Sequence, residues 1–115
     1  MLIFKIFRAD EYADFIAKGE TIGAPIDVQD GFVHFSAADQ VVETCAKYFA
    51  GTEGLKLLAV EADSLGDDLK WEVSRDGALF PHLFRKLRTA DIVWTRDLPL
   101  GHNGHEFPAD LANPD

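Results

Sequence analysis

Asp30-Gly31-Phe32-Val33-His34-Phe35-Ser36, followed by Ala37-Ala38-Asp39-Gln40 and an apolar run ending near Phe49, is the stretch from which the fold is read. Asp30-Gly31 has turn chemistry, Phe32 to Phe35 favour a buried strand, and the residues after Ser36 take helical spacing. Alternation puts Phe32, His34 and Ser36 on one side of the strand and Val33 and Phe35 on the other. Ser36, with Asp39 three residues on, predicts a helix N-cap, and Val41, Val42, Cys45, Tyr48 and Phe49 form an apolar stripe that ends before Gly51. The free N–H groups at that helix start lie beside His34 and would favour a bound anion.

Toward the N-terminus, Leu2 to Phe7 is apolar at nearly every position, which predicts a central strand covered on both faces. Asp10 to Gly19 has acidic residues in its first turn, Tyr12, Phe15 and Ile16 on one face and a closing Lys18-Gly19, so it reads as a short amphipathic helix. Thr21 to Gln29, with Gly23 and Pro25 and no clear period, reads as an extended loop. Toward the C-terminus, Leu55 to Ala62 is a near-continuous apolar strand. Residues 63–68 are an acidic turn. Leu69, Trp71 and Val73 then alternate with Lys70, Glu72 and Ser74, which predicts a strand with the former buried and the latter on its polar face. Leu79 to Phe84 enters another strand, with Pro81 at an edge or bend, and Asp91 to Leu98 is the last.

A chain of 115 residues, 47% hydrophobic, suits one core and one domain over residues 1–100, with 101–115 as a loosely held tail. No apolar run reaches the roughly 20 residues that cross a bilayer, and Met1 to Lys5 has no basic leader. A cytoplasmic, monomeric protein is expected. Cys45 is the only cysteine and belongs to the helix stripe, so it reads as a small core residue. The net charge of −9 disfavours extended nucleic-acid binding. Residues 70–96 are the exception, with six basic side chains against three acidic ones. Lys70, Arg75, Arg85, Lys86, Arg88 and Arg96 in that segment could hold one diphosphate or carboxylate through charge-assisted bonds, or neutralise acidic neighbours across the surface.

Three groups can give or take protons and sit next to aromatic residues: His34, Glu72 and His82. Converging on one sheet face, they would supply the few polar groups that an apolar small-molecule site needs. Glycine-rich nucleotide motifs and a nucleophile elbow are absent from the sequence. Ser36 is read as a cap in preference to a nucleophile. Two metal arrangements are conceivable, His102 with His105 and His34 with His82 and Glu72, and neither spacing demands a metal.

Through Asp30 to Ser36, Gln40, Thr44, Phe49, Trp71-Glu72 and Phe80-Pro81-His82-Leu83, the chain resembles the family called domain of unknown function 952, over about Ile3 to Leu98. The family pattern continues with Tyr-Gly where this chain has Phe84-Arg85, so no phenolic hydroxyl stands here. The resemblance implies an α+β domain similar to the ADP-ribosyltransferase fold, with small mixed or antiparallel sheets, two short helices and a cleft between the sheets. It further implies NAD as a possible substrate, with His34 holding the nicotinamide ribose and Glu72 stabilising the positive charge that grows as a glycosidic bond breaks. His82 would orient a hydroxyl or act as acid or base. Phe32 or Trp71 would stack on a flat ring, and Ser36, Arg75 and Arg85 would contact the ligand. The alternative from another class is a non-catalytic binding module for a small anionic metabolite or a protein partner.

Overall fold

The computed structural model describes residues 1–111. Strand β1 (Leu2–Phe7) runs between β4 (Ser36–Ala37) and β5 (Leu55–Glu61), and β9 (Ile92–Leu98) closes an antiparallel sheet of order β4-β1-β5-β9. The expected central strand is there, and the reason is its apolar content on both faces. Ile3 and Phe7 join Leu58 and Val60 in one core, and Phe4 and Ile6 join Leu55, Leu57 and Ala59 in a second. The first core is covered by helix α1 (Ala9–Lys18) through Phe15 and Tyr12, the second by helix α3 (Val41–Tyr48) through Val41 and Cys45.

A second, three-stranded sheet has the order β3-β7-β6, formed by β3 (Val33–His34), β7 (Leu79–Leu83) and β6 (Leu69–Val73). It packs Val33 and Leu83 onto the first core. The two sheets are joined by continuous chain: β3 belongs to one and β4 to the other, with Phe35 alone between them. Its N–H still donates to the Pro81 carbonyl at 3.0 Å. Pro81 thus lies inside β7, opposite Trp71. It costs the ladder little, since its missing N–H faces the side where β3 has just ended.

Several expectations are corrected. Thr21 to Gln29 is not one extended loop: Thr21 closes strand β2 (Glu20–Thr21), paired with β8 (Leu87–Arg88), and residues 25–29 lie in helix α2 (Pro25–Asp30), which makes a third helix. Gly31, at φ 86°, ends α2 in the left-handed conformation, as the Asp30-Gly31 turn chemistry requires. Ser36 is not a helix cap. It pairs with Phe4 in the sheet, and α3 begins five residues later. The expected faces of β6 hold only at its start, where Leu69 packs on the first core and Lys70 is exposed; beyond it Trp71 and Val73 are 39% and 71% exposed while Glu72 turns toward His82.

The segment after β9 is also better held than its glycines and prolines suggest. β10 (Leu100–Gly101) and β11 (Gly104–His105) form a hairpin, and Phe107 and Leu111 pack on the second core. His105 Nε2 bonds the Thr52 carbonyl at 2.6 Å, so the proton is on Nε2 and Nδ1 accepts from the Cys45 thiol at 3.4 Å. Cys45 is the buried core residue expected, and burial pushes its thiol pKa up. Residues 112–115 of the expected tail lie outside the described residues. No helix among the described residues is long and apolar enough to cross a membrane.

Candidate functional site

The short length of β4 makes the site. It pairs with β1 only at Ile3 and Phe4, so the edge of β1 beyond Phe4 has no strand partner there. Lys5, Ile6 and Arg8 line one wall of a cleft of about 570 Å³, within the usual size for a small-molecule site. Thr44 and Tyr48 of α3, with Phe49 just after it, form the second wall, and the third is His34, Phe80 and His82 of the small sheet. Opposed strands set the histidines together, since His34 is the register partner of His82 and their rings meet edge to face at 5.3 Å.

Behind the cleft lies an ion network that begins with a lysine inside an apolar strand. Lys5 Nζ donates to Asp27 Oδ2 at 2.7 Å, with both side chains buried. Asp27 also accepts from the Ala24 N–H at 2.7 Å, the His34 N–H at 3.0 Å and His34 Nδ1 at 2.6 Å. Burial pushes the Asp27 carboxyl pKa up, but the His34 hydrogen bond and the Lys5 charge and hydrogen bond outweigh it, leaving the group below the ordinary aspartate value. The far nitrogen of His34 faces Asp30 Oδ2 at 3.0 Å. His34 is therefore held by carboxylates on both sides, with one edge of its ring in the cleft.

The opposite rim is cationic. Arg75 Nη2 donates to Thr44 Oγ1 at 3.1 Å, and its guanidinium lies over the rings of Phe80, at 5.0 Å, and Tyr48, at 5.7 Å. Thr44 gives its own proton to the Gln40 carbonyl at 3.1 Å, so it accepts from Arg75 and from the Ser36 hydroxyl, 3.0 Å away. Arg8 lies over Phe49 at 4.7 Å, beside Glu11 at 3.7 Å. Two neighbouring aromatic residues at the end of α3 thus each carry a guanidinium at the mouth of the cleft.

Of the residues singled out in the sequence, His34, Ser36, Arg75 and His82 line this cleft. Glu72 stands one strand further out, 43% exposed, with Oε1 accepting from His82 Nδ1 at 2.8 Å. Phe32 stacks on the His82 ring at 4.2 Å and touches Phe84, lining a shallower groove. Trp71 is on the outer face of β6. Arg85 is bound bidentately to Asp91 at 2.9 and 3.0 Å and donates to the Lys86 carbonyl. The Asp91 hydrogen bond raises its pKa further, and its donors are committed to the fold. Among the described residues no group of three or more histidine, cysteine or acidic side chains is placed to hold a metal ion.

Lys5, Arg8, Asp27 and Thr44 were not assigned to the site from the sequence. One signal was there: a lysine in a strand apolar on both faces demands a buried counter-charge.

These features define a small α+β domain of antiparallel sheets with an aromatic, cation-rimmed cleft. The chain belongs to the DUF952 family, described as a protein of unknown function, whose model matches residues 6–95. It is similar to protein CC0527 from Caulobacter crescentus. One crystal structure of that protein is 46% identical with a TM-score of 0.92, over 97% of this chain and 99% of that one. Its solution NMR structure is 45% identical with a TM-score of 0.84, over 99% and 98%. No curated protein matches.

Proposed function

We propose that the cleft binds a small anionic ligand with a flat ring, with a nucleotide of the NAD type as the first candidate. The observation that carries the proposal is Arg75. Its guanidinium is oriented by Thr44 and walled by two aromatic rings, and no ion pair to it is found among the described residues. A fixed, partly desolvated cation gains most from an anion, and flat apolar walls favour a planar ring beside it. Arg8 at the same mouth can meet a second anionic group, and its neighbour Glu11 is long in reach.

ADP-ribosyl transfer within an ADP-ribosyltransferase-like fold is the finer form of this reading. The Glu72–His82 bond beside the cleft favours it, although Glu72 would then act through His82 and not on the ligand directly. A non-catalytic module for another small anionic metabolite uses the same cations and walls without the transfer step.

Titration of NAD, ADP-ribose and nicotinamide, followed by ligand-observed NMR, tests the proposal. Saturable binding of the two phosphate-bearing ligands is expected. Arg75→Ala should weaken it by about ten- to a hundredfold, since a hydrogen bond to a charged group contributes about 1.5–3 kcal/mol. Absence of binding by all three at millimolar concentration would overturn the nucleotide reading. With nucleotide bound, unchanged binding and lost turnover in Glu72→Gln would mark a transferase.

A further inference from the structure

The bonds of the cleft leave one buried atom over. Among the described residues, His82 Nε2 is the buried side-chain nitrogen or oxygen without a hydrogen-bond partner. The other ring nitrogen faces Glu72 Oε1 at 2.8 Å. A carboxylate has no proton to give, so the proton of that bond is on Nδ1, and the neutral ring keeps its lone pair on Nε2. Stacking on Phe32, with planes 25° apart, and the edge contact with His34 fix the ring's orientation. His82 is 4% exposed and lines the cleft. An unbonded buried nitrogen is unfavourable, and the direct remedy is a donor that enters from the cleft.

We propose that His82 Nε2 is the proton-accepting atom of the cleft, taking the O–H of a hydroxyl on the bound anion, and that Glu72 is its positioning residue. The proposal rests on the cleft being a ligand site and adds a second feature to the ligand class, a hydroxyl within reach of His82. On full transfer the O–H bond breaks, its electron pair stays on the oxygen, and the proton forms an N–H bond at Nε2. Glu72 remains ionised and balances the imidazolium through Nδ1–H, as the carboxylate does in a carboxylate–histidine pair. Since Glu72 stands on the outer strand β6 and is partly exposed, the dyad runs from the cleft to bulk water across one sheet face.

Ring ¹⁵N NMR on the full chain, which separates protonated from unprotonated imidazole nitrogen, tests this. Loss of one ring's signals in His82→Asn separates His82 from His34, His102 and His105. The wild type should show a protonated Nδ1 and an unprotonated Nε2 at His82, and ADP-ribose should shift the Nε2 signal as its hydroxyl meets the lone pair. In Glu72→Gln, whose amide can donate as well as accept, the two signals should move toward each other. A merely structural Glu72–His82 contact would not change the tautomer in this way. A wild-type ring protonated at Nε2 alone would overturn the inference, as would an Nε2 signal that stays in place while ADP-ribose binds. The tautomer does not require bound nucleotide, so failure of the nucleotide reading shows separately, as a lone pair on Nε2 with no Arg75-dependent binding.

Discussion

Lys5 lies in a strand covered on both faces, and Asp27 is what makes that position tolerable. Breaking a buried pair from one side leaves the other charge unsatisfied, which costs about 3–5 kcal/mol. Asp27→Asn keeps the shape and removes the charge, so urea unfolding at neutral pH should show a loss of that order. The carboxyl is held below its ordinary value in the folded state. Such a group stabilises the fold above its unfolded pKa and loses that contribution as pH falls through the lower folded one. Wild-type stability should therefore decline on acidification through that window, and the gap to Asp27→Asn should narrow. A gap that stays constant with pH would mean that the Lys5–Asp27–His34 chain is not the source of the stability. At this scale the sequence was partly legible. His34 and His82 stood out as polar groups among aromatics, whereas Asp27, in a stretch without period, gave no sign of burial.

At the scale of elements, α2 shows why periodicity failed. The apolar residues of that helix, Ile26 and Val28, are exposed, and its buried residue is Asp27, so the hydrophobic pattern points the wrong way. What docks α2 is the carboxylate and the close turn before it. Gly23, at φ 106°, brings the backbone so near that an added Cβ would lie 2.3 Å from Asp27 Oδ2. Gly23→Ala should destabilise by about 1–3 kcal/mol from backbone strain, with the clash adding to it. A thermal melt equal to the wild type would show that α2 is not anchored through Asp27. Strand β6 misled for a related reason, since the bond from His82 turns Glu72 inward and leaves Trp71 and Val73 outside. Ser36 misled because pairing with β1 holds the chain extended past the point where its local pattern suggests a cap.

Over the whole molecule, the strands β1, β5 and β9 and the helices α1 and α3 were readable, because each buries an apolar stripe or run in one of two cores that share a sheet. The cleft was not, because it depends on where β4 stops and on which side chains the two sheets bring together from distant parts of the chain. The same junction sets how the molecule opens. The N–H of Phe35 bonds Pro81 in the small sheet, while the next residue is already paired to β1 in the large one. Phe35 is buried in the first core, to which both sheets contribute, so opening that bond is tied to disruption of the core and its exchange should be as slow as the slowest amides of β5 and should follow global unfolding. Fast exchange at Phe35 beside protected β5 would mean that the sheets separate without unfolding. A ligand in the cleft touches both sheets and should slow this amide further, while those of the β10–β11 hairpin keep their rate, which turns one backbone position into an occupancy gauge for the site.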